Sequence, residues 1–180
     1  GSEMCIRDSF TSSNSSSVVG SYATDIQGNV DIVVNSGTFN HQIMGGIFAN
    51  ANTTIGGNTH VYINGGSVTG NVMGGGLTGS ISGGANVTVT GGVISGSVYG
   101  AGQGGSILAG SSVCLTGGLV KGDVYAGGKA GSIRGDTSVT ITGNTATLYN
   151  GSSWGSISGG GSGGTVKGNS VSYTHLRAHE

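Results

Sequence analysis

One phrase of 26 residues is written three times, without a gap, over residues 61–138. Residues 61–86 read VYINGGSVTGNVMGGGLTGSISGGAN, 87–112 read VTVTGGVISGSVYGAGQGGSILAGSS, and 113–138 read VCLTGGLVKGDVYAGGKAGSIRGDTS. A fixed period of this length marks a solenoid: each repeat is one coil, and a coil buries its apolar face only by stacking on its neighbours. Composition alone points elsewhere, since Gly fills 41 of 180 positions, Pro none, and charged residues make up 7%. Gly-rich chains of low charge are often disordered. Here Val, Ile, Leu and the glycines all keep register, which a linker has no reason to do.

Within a repeat the apolar residues alternate rather than recur at helical spacing. Val87-Thr88-Val89-Thr90 has period two, with Val inward and Thr outward. Gly91-Gly92 supplies a corner where positive φ is cheap. A second alternating run extends from Ile94 to Tyr99, and a third, shorter one is Ser106-Ile107-Leu108. Helix is disfavoured, because each interior Gly costs about 1 kcal/mol relative to Ala. The expected fold is all-β: a right-handed parallel β-helix (β-solenoid) with three short strands per 26-residue coil and about four to five coils.

Stacking turns equivalent positions into ladders about 4.8 Å apart. The expected inward columns are Val61, Val87, Val113, Val139; Ile63, Val89, Leu115, Ile141; Val68, Ile94, Val120; Val72, Val98, Val124, Leu148; and Ile81, Ile107, Ile133, Ile157. Most are β-branched and suit a pleated buried surface. An isolated coil is expected to be unfolded, with stability rising as coils are added.

Flanking the regular coils 61–86, 87–112 and 113–138 are two degenerate ones. In 30–60, Ile32, Val34, Phe39, Ile43 and Met44 match Val61, Ile63, Val68, Val72 and Met73 at an offset of 29, with the three extra residues placed near 49–54. In 139–170, Leu148-Tyr149 is aligned with Val124-Tyr125, Gly155-Ser156-Ile157 with Gly131-Ser132-Ile133, and 159–164 is read as a flexible insertion before Val166. Val18 to Gly28 reads as the remains of an earlier coil, so one solenoid domain is expected over 18–170. Residues 1–17 are expected to be a non-native or frayed lead-in, Ser/Asn-rich over 10–17. Residues 171–180 are set apart as a tail. The strings EMCIRDS near the start and VSYTHLRAHE at the end do not follow the repeat idiom. Both resemble translated sequencing-adapter read-through from metagenome assemblies, and Gly1-Ser2 resembles a tag scar. On that reading the natural protein extends beyond both ends, and these residues stay out of the functional argument.

The formal net charge of −1 gives no electrostatic case for a nucleic acid partner. No apolar run approaches the roughly 18 residues that span a bilayer, so no membrane insertion is expected. Cys5 and Cys114 are the only cysteines and make neither a disulfide framework nor a metal spacing. His41 and His60 have no acidic or Cys partner at a recurring spacing, so neither metal nor cofactor is expected.

The phrase V-x-I-x-G-G-x-V-x-G-x-V-Y-G-G-G, present as VTVTGGVISGSVYGAG and VCLTGGLVKGDVYAGG, resembles the β-helix repeats of large adhesin-like surface proteins from anaerobic gut bacteria. The resemblance covers about residues 32–157. It implies an extracellular, cell-surface protein that presents a long rigid stalk or an adhesive surface, with a signal peptide and an anchor that this chain does not display. The expected function is therefore a non-enzymatic structural or adhesive repeat segment.

The column Met73, Tyr99, Tyr125, Tyr149 follows the inward Val/Leu positions, so alternation turns it outward or to a corner. Tyr99, Tyr125 and Tyr149 are the candidate ligand-binding residues, as stacked rings suited to sugars. The bland reading is that they pack on each other and cover the Gly-rich turn. Glycans or host-surface molecules are the expected partners, and unpaired strand edges invite end-to-end self-association.

Two alternatives remain. A fragment of a β-helix carbohydrate-active enzyme needs clustered acids, and Asp123 and Asp136 lie half a coil apart, which points them to different sides. An ice-binding solenoid needs a flat Thr array. Strand one carries Tyr62/Asn64, Thr88/Thr90, Cys114/Thr116 and Thr140/Thr142 outward, so that array is interrupted. Trp154 is expected to cover the end of an apolar column.

Overall fold

The computed structural model describes residues 4–14, 17–142, 147–148 and 155–175. Every element among them is a strand, and every strand pair is parallel. The strands stack as a β-solenoid of about 5 turns. They form three sheets, of 11, 6 and 5 strands.

The coil of 87–112 shows why. Ala85–Val89 alternates buried and part-exposed, with Ala85, Val87 and Val89 inward. Val87 pairs with Val61 below and Val113 above, and Val89 with Ile63 and Leu115. A bend follows in which Gly92 takes φ 83°, as Gly66 and Gly118 do at 80° and 81°. That conformation is open to Gly and costly for other residues. Val93–Ile94 then continues in the same broad sheet. The chain next turns at Gly96 into Val98–Tyr99 of the second sheet, and later into Ser106–Ile107 of the third. The run from Ile94 to Tyr99, expected as one strand, is thus divided across a corner: three faces stand as expected, carrying four short strands per coil. The corner is a glycine position. A Cβ at Gly96 would lie 2.5 Å from the Gly70 carbonyl oxygen, and one at Gly122 would lie 2.6 Å from that of Gly96. Backbones approach so closely there that the corner admits glycine and no larger residue without a shift.

The interior is one continuous apolar column set. Val61, Val87 and Val139 are fully buried and Val113 nearly so; Val72, Val98 and Val124 are likewise buried, as are Ile81, Ile107 and Ile133. Burying each such side chain contributes roughly 1.5–3 kcal/mol. The first degenerate coil follows the expected 29-residue offset: Ile32 pairs with Val61, Val34 with Ile63, Phe39 with Val68, Ile43 with Val72 and Met44 with Met73. Ile55 pairs with Ile81, so the extra length lies between Met44 and Ile55. Val18 pairs with Ile43 and Ile26 bridges Ile55, which makes 18–28 part of a coil.

The last coil departs from expectation. Leu148 pairs with Val120, not Val124; Ile157 pairs with Val124, and Val166 with Ile133. The coil-to-coil offset widens to 33, against 26 in the regular coils. The extra length precedes Ile157. Residues 159–164 are an ordinary corner, with Gly164 at φ 81° where Gly131 takes 90°. Leu148 and Ile157 are single apolar residues in a Ser/Gly/Asn-rich stretch, and Tyr149 imitates Tyr125, so the pattern admitted a false alignment.

The described parts of both terminal strings, 4–9 and 171–175, are carried by backbone pairing. Met4–Asn14 pairs with Val30–Phe39, with irregularities around Ser9. Residues 10–14, expected to fray, lie in this strand because the edge of Val30–Phe39 offers it a ladder. Ser170–His175 pairs with Thr137–Thr142. Its alternation is reversed: Ser172 and Thr174 lie over the inward Val139 and Ile141, while Val171 and Tyr173 are 52% and 54% exposed.

Candidate functional site

The second sheet carries a side-chain column on its outer surface. Met44, Met73, Tyr99 and Tyr125 follow one another in register. They form a small apolar cluster separate from the main core, against which Val19, Phe48 and Leu77 pack. Met44 and Met73 are buried, and Tyr99 is only 7% exposed. The expected turn away from the tube interior is present, but a cover lies over most of the column. The Tyr99 and Tyr125 rings stack with centroids 5.2 Å apart and planes 10° apart, a spacing in the favourable range for aromatic pairs.

The cover changes along the axis. Leu77 donates its NH to the Ile47 carbonyl, Gln103 to that of Gly76 and Lys129 to that of Gly102, so the three hold equivalent corner positions. Phe48 and Leu77 close the column over its Met half. Gln103 and Lys129, both exposed, hold the equivalent corner positions in the next two coils. On the other flank Tyr125 donates from its hydroxyl to Asp123 Oδ2 at 3.2 Å. Burial, then the Asp123 charge, that hydrogen bond and neighbouring Tyr99, push the Tyr125 hydroxyl above the usual tyrosine range, so it stays protonated. The last tyrosine of the described column is therefore a part-exposed ring tied to a carboxylate. Tyr149 lies outside the described residues, and Ser158 takes the position beside Tyr125.

Asp123 and Asp136 are not brought together. Asp123 Oδ1 accepts the Ser156 NH at 2.8 Å, and Asp136 Oδ1 accepts the Asn169 NH at 2.7 Å, at two different corners. Each belongs to a ladder in which a corner side chain receives the NH of the next coil. Asn71 does this for Ser97 and Ser97 for Asp123 at one corner, and Asn58 for Gly84 at the other.

The outer face of the broad sheet carries a second cluster. His60 stacks on Tyr62 with centroids 4.1 Å apart, its Nδ1 lies 3.1 Å from the Tyr62 hydroxyl, and its Nε2 lies 3.3 Å from Thr88 Oγ1. Burial lowers the His60 pKa against the opposing pull of Asp31, the in-register neighbour of His60; burial and then Asp31 raise that of Tyr62. The sequence reading missed Asp31 because it sought partners at recurring spacings. The 29-residue offset of the first coil was the signal that would have found it. His41 is exposed, and Trp154 lies outside the described residues.

The strand-one outward positions fall as expected, with Thr88, Cys114, Thr140 and Thr142 part-exposed and Thr90 and Thr116 exposed. Several of their polar groups bond along the axis: Thr90 to Asn64, Asn64 to Asn35 and Ser112 to Asn86, at 3.0, 3.0 and 2.7 Å. Cys114 is a free thiol. Among the described residues no three His, Cys, Asp or Glu side chains are placed to hold a metal ion, and no helix is long and apolar enough to cross a membrane. No protein-family model, no curated protein and no solved structure matches this chain.

Proposed function

We propose that this chain is a non-enzymatic repeat segment of a bacterial surface protein, working outside the cell as a stiff spacer that displays weak, repeated contacts for glycans or other surface molecules. The observation that supports it is the coil-on-coil register that sets Tyr99 on Tyr125 and leaves Tyr125 part-exposed beside Asp123. A part-exposed aromatic ring beside a carboxylate has the chemistry a sugar ring needs: CH groups against the ring, hydroxyls to the carboxylate. A single shelf of this kind binds weakly, and avidity comes from several shelves along a longer array.

The test is a glycan-array screen of the purified chain, displayed multivalently, beside Tyr125→Ala. Tyr99 is buried, so its truncation would disturb packing and is a poor probe. Binding by the parent chain, weakened about tenfold or 1.4 kcal/mol in Tyr125→Ala with an unchanged β spectrum, supports the reading. No glycan bound, or equal binding by the variant, removes the shelf from it.

A further inference from the structure

Tyr62 stands on the outer surface of the broad sheet, in a strand with coils on both sides of it. Its ring is pinned. His60, two residues earlier on the same face, stacks on it with planes 18° apart, and the His60 Nδ1 lies 3.1 Å from the Tyr62 hydroxyl. The His60 Nε2 meets Thr88 of the next coil at 3.3 Å, so the pair is held from a second coil. His60 covers one face of the Tyr62 ring. Because the two rings are stacked along the strand, the other face looks the opposite way, towards Asn64, the next outward residue. Tyr62 is part-exposed and Asn64 is exposed.

Asn64 is the middle of a polar rail. Its Nδ2 donates to Asn35 Oδ1 of the coil below, and its Oδ1 accepts from Thr90 Oγ1 of the coil above, both at 3.0 Å. These bonds draw the amide along the tube axis rather than onto the Tyr62 ring. An amide has two N–H groups and its oxygen accepts twice, so Asn64 keeps a further donor and a further acceptor for a ligand. The rail repeats about every 4.8 Å along the axis, close to the advance per sugar in an extended 1,4-linked chain. No Asp, Glu, Lys or Arg occurs from residue 32 to residue 120, and burial holds His60 below its ordinary pKa, so it is neutral at pH 7. Asp31 lies beside His60, across Tyr62 from the rail. We propose that Tyr62 and the Asn35–Asn64–Thr90 rail form a binding site for a neutral, extended β-1,4-linked oligosaccharide lying along the tube axis. One sugar sets its CH face against the free face of Tyr62, and its hydroxyls and those of the next unit meet the rail. The ring is already held, so little ordering is lost on binding. A polyanion finds no cation in the rail, and a curved α-linked chain departs from its straight line. The site shares its ligand class with the Tyr125 reading but lies on a different sheet, so each can fail alone.

The test is equilibrium binding of fluorescently labelled cellohexaose and N-acetylchitohexaose, with maltohexaose and polygalacturonate as contrasts. It compares the parent chain with Tyr62→Ala, Tyr62→Phe, Asn64→Ala and Tyr125→Ala. The parent is expected to bind at least one of the two β-linked probes and neither contrast. Tyr62→Ala is expected to weaken that binding about tenfold or more and Asn64→Ala about threefold or more, with unchanged β spectra. Tyr62→Phe, which keeps the ring, and Tyr125→Ala are expected to stay within about threefold of the parent. Asn64 is exposed, so its truncation reports on the rail even where Tyr62→Ala loses its fold. A parent that binds neither β-linked probe overturns the proposal, and so does parent-like binding by a folded Tyr62→Ala or Asn64→Ala. Binding lost in Tyr125→Ala and kept in Tyr62→Ala also overturns it, while leaving the Tyr125 reading in place. Equal binding of maltohexaose or polygalacturonate overturns the ligand class.

Discussion

At Gly96 the coil below leaves no room for a methyl group, because the Gly70 carbonyl oxygen, the Asn71 Oδ1 and the Gly70 carbonyl carbon all lie within 2.6 Å of the place a Cβ would take. Gly96→Ala is expected to cost about 1–3 kcal/mol in chemical denaturation, the range for overpacking a close contact. Gly160→Ala is the contrast: its nearest neighbour is the Ser158 Oγ at 3.8 Å, and it carries no positive φ. There the change is expected to be neutral or to stabilise by about 0.4–1 kcal/mol through the unfolded chain. A second residue-scale test concerns buried hydroxyls. Thr59 donates to the Gly74 carbonyl, Ser111 to that of Ala126 and Thr137 to that of Gly159, at 2.7, 2.5 and 2.6 Å. Val30 and Ala85 hold the same position in two other coils, and at Ala85 no hydroxyl faces the Gly100 carbonyl. Ala85→Ser is expected to add that bond and about 0.5–1.5 kcal/mol of stability. His60 gives a pH test. Burial depresses its folded pKa below the ordinary 6.5, so the unfolded chain takes up the proton first as pH falls. That contribution to stability is present above pH 6.5 and is lost as pH falls from there through the folded pKa. Denaturation midpoints of the parent and of His60→Gln are expected to diverge across that window, the parent declining more steeply.

Among elements, the coil is the unit that can be removed. Deleting 87–112 brings Val113 onto Val61 and Tyr125 onto Met73, the same column partners with one layer fewer. The shortened chain is expected to keep its β spectrum with a lower midpoint and a smaller denaturant slope. Removing half a coil, 87–99, sets strands against corners and is expected to abolish cooperative unfolding. This modularity was readable in advance. Apolar alternation and the glycine register carried the columns of the regular coils and the 29-residue offset of the first one. What could not be read belongs to positions without periodicity. Leu148 and Ile157 were each assigned to the column after their own, since only backbone pairing places a lone apolar residue. The cover over the column was invisible because the residues at that corner, Phe48, Leu77, Gln103 and Lys129, share a position but not a chemistry. Asp123 was placed only as lying half a coil from Asp136. Its bond to Tyr125 follows only from the corner's geometry, which turns residues two apart towards each other.

For the whole molecule, stability is the sum of layers that each depend on the next. Amide exchange is expected to be slowest in Ala85–Val89 and Ser111–Leu115, which have coils on both sides, and faster in Ser170–His175. The near-constant spacing of paired residues has a further effect, on how such a tube assembles. A strand finds its partner about one coil away in the chain however many coils there are, so lengthening the protein adds no more distant partners. Relative contact order falls as the chain grows, and the loop that must close for each new layer stays the same size. Once a first pair of coils has formed, each later layer can be laid down at the same rate, in the order in which the polypeptide emerges.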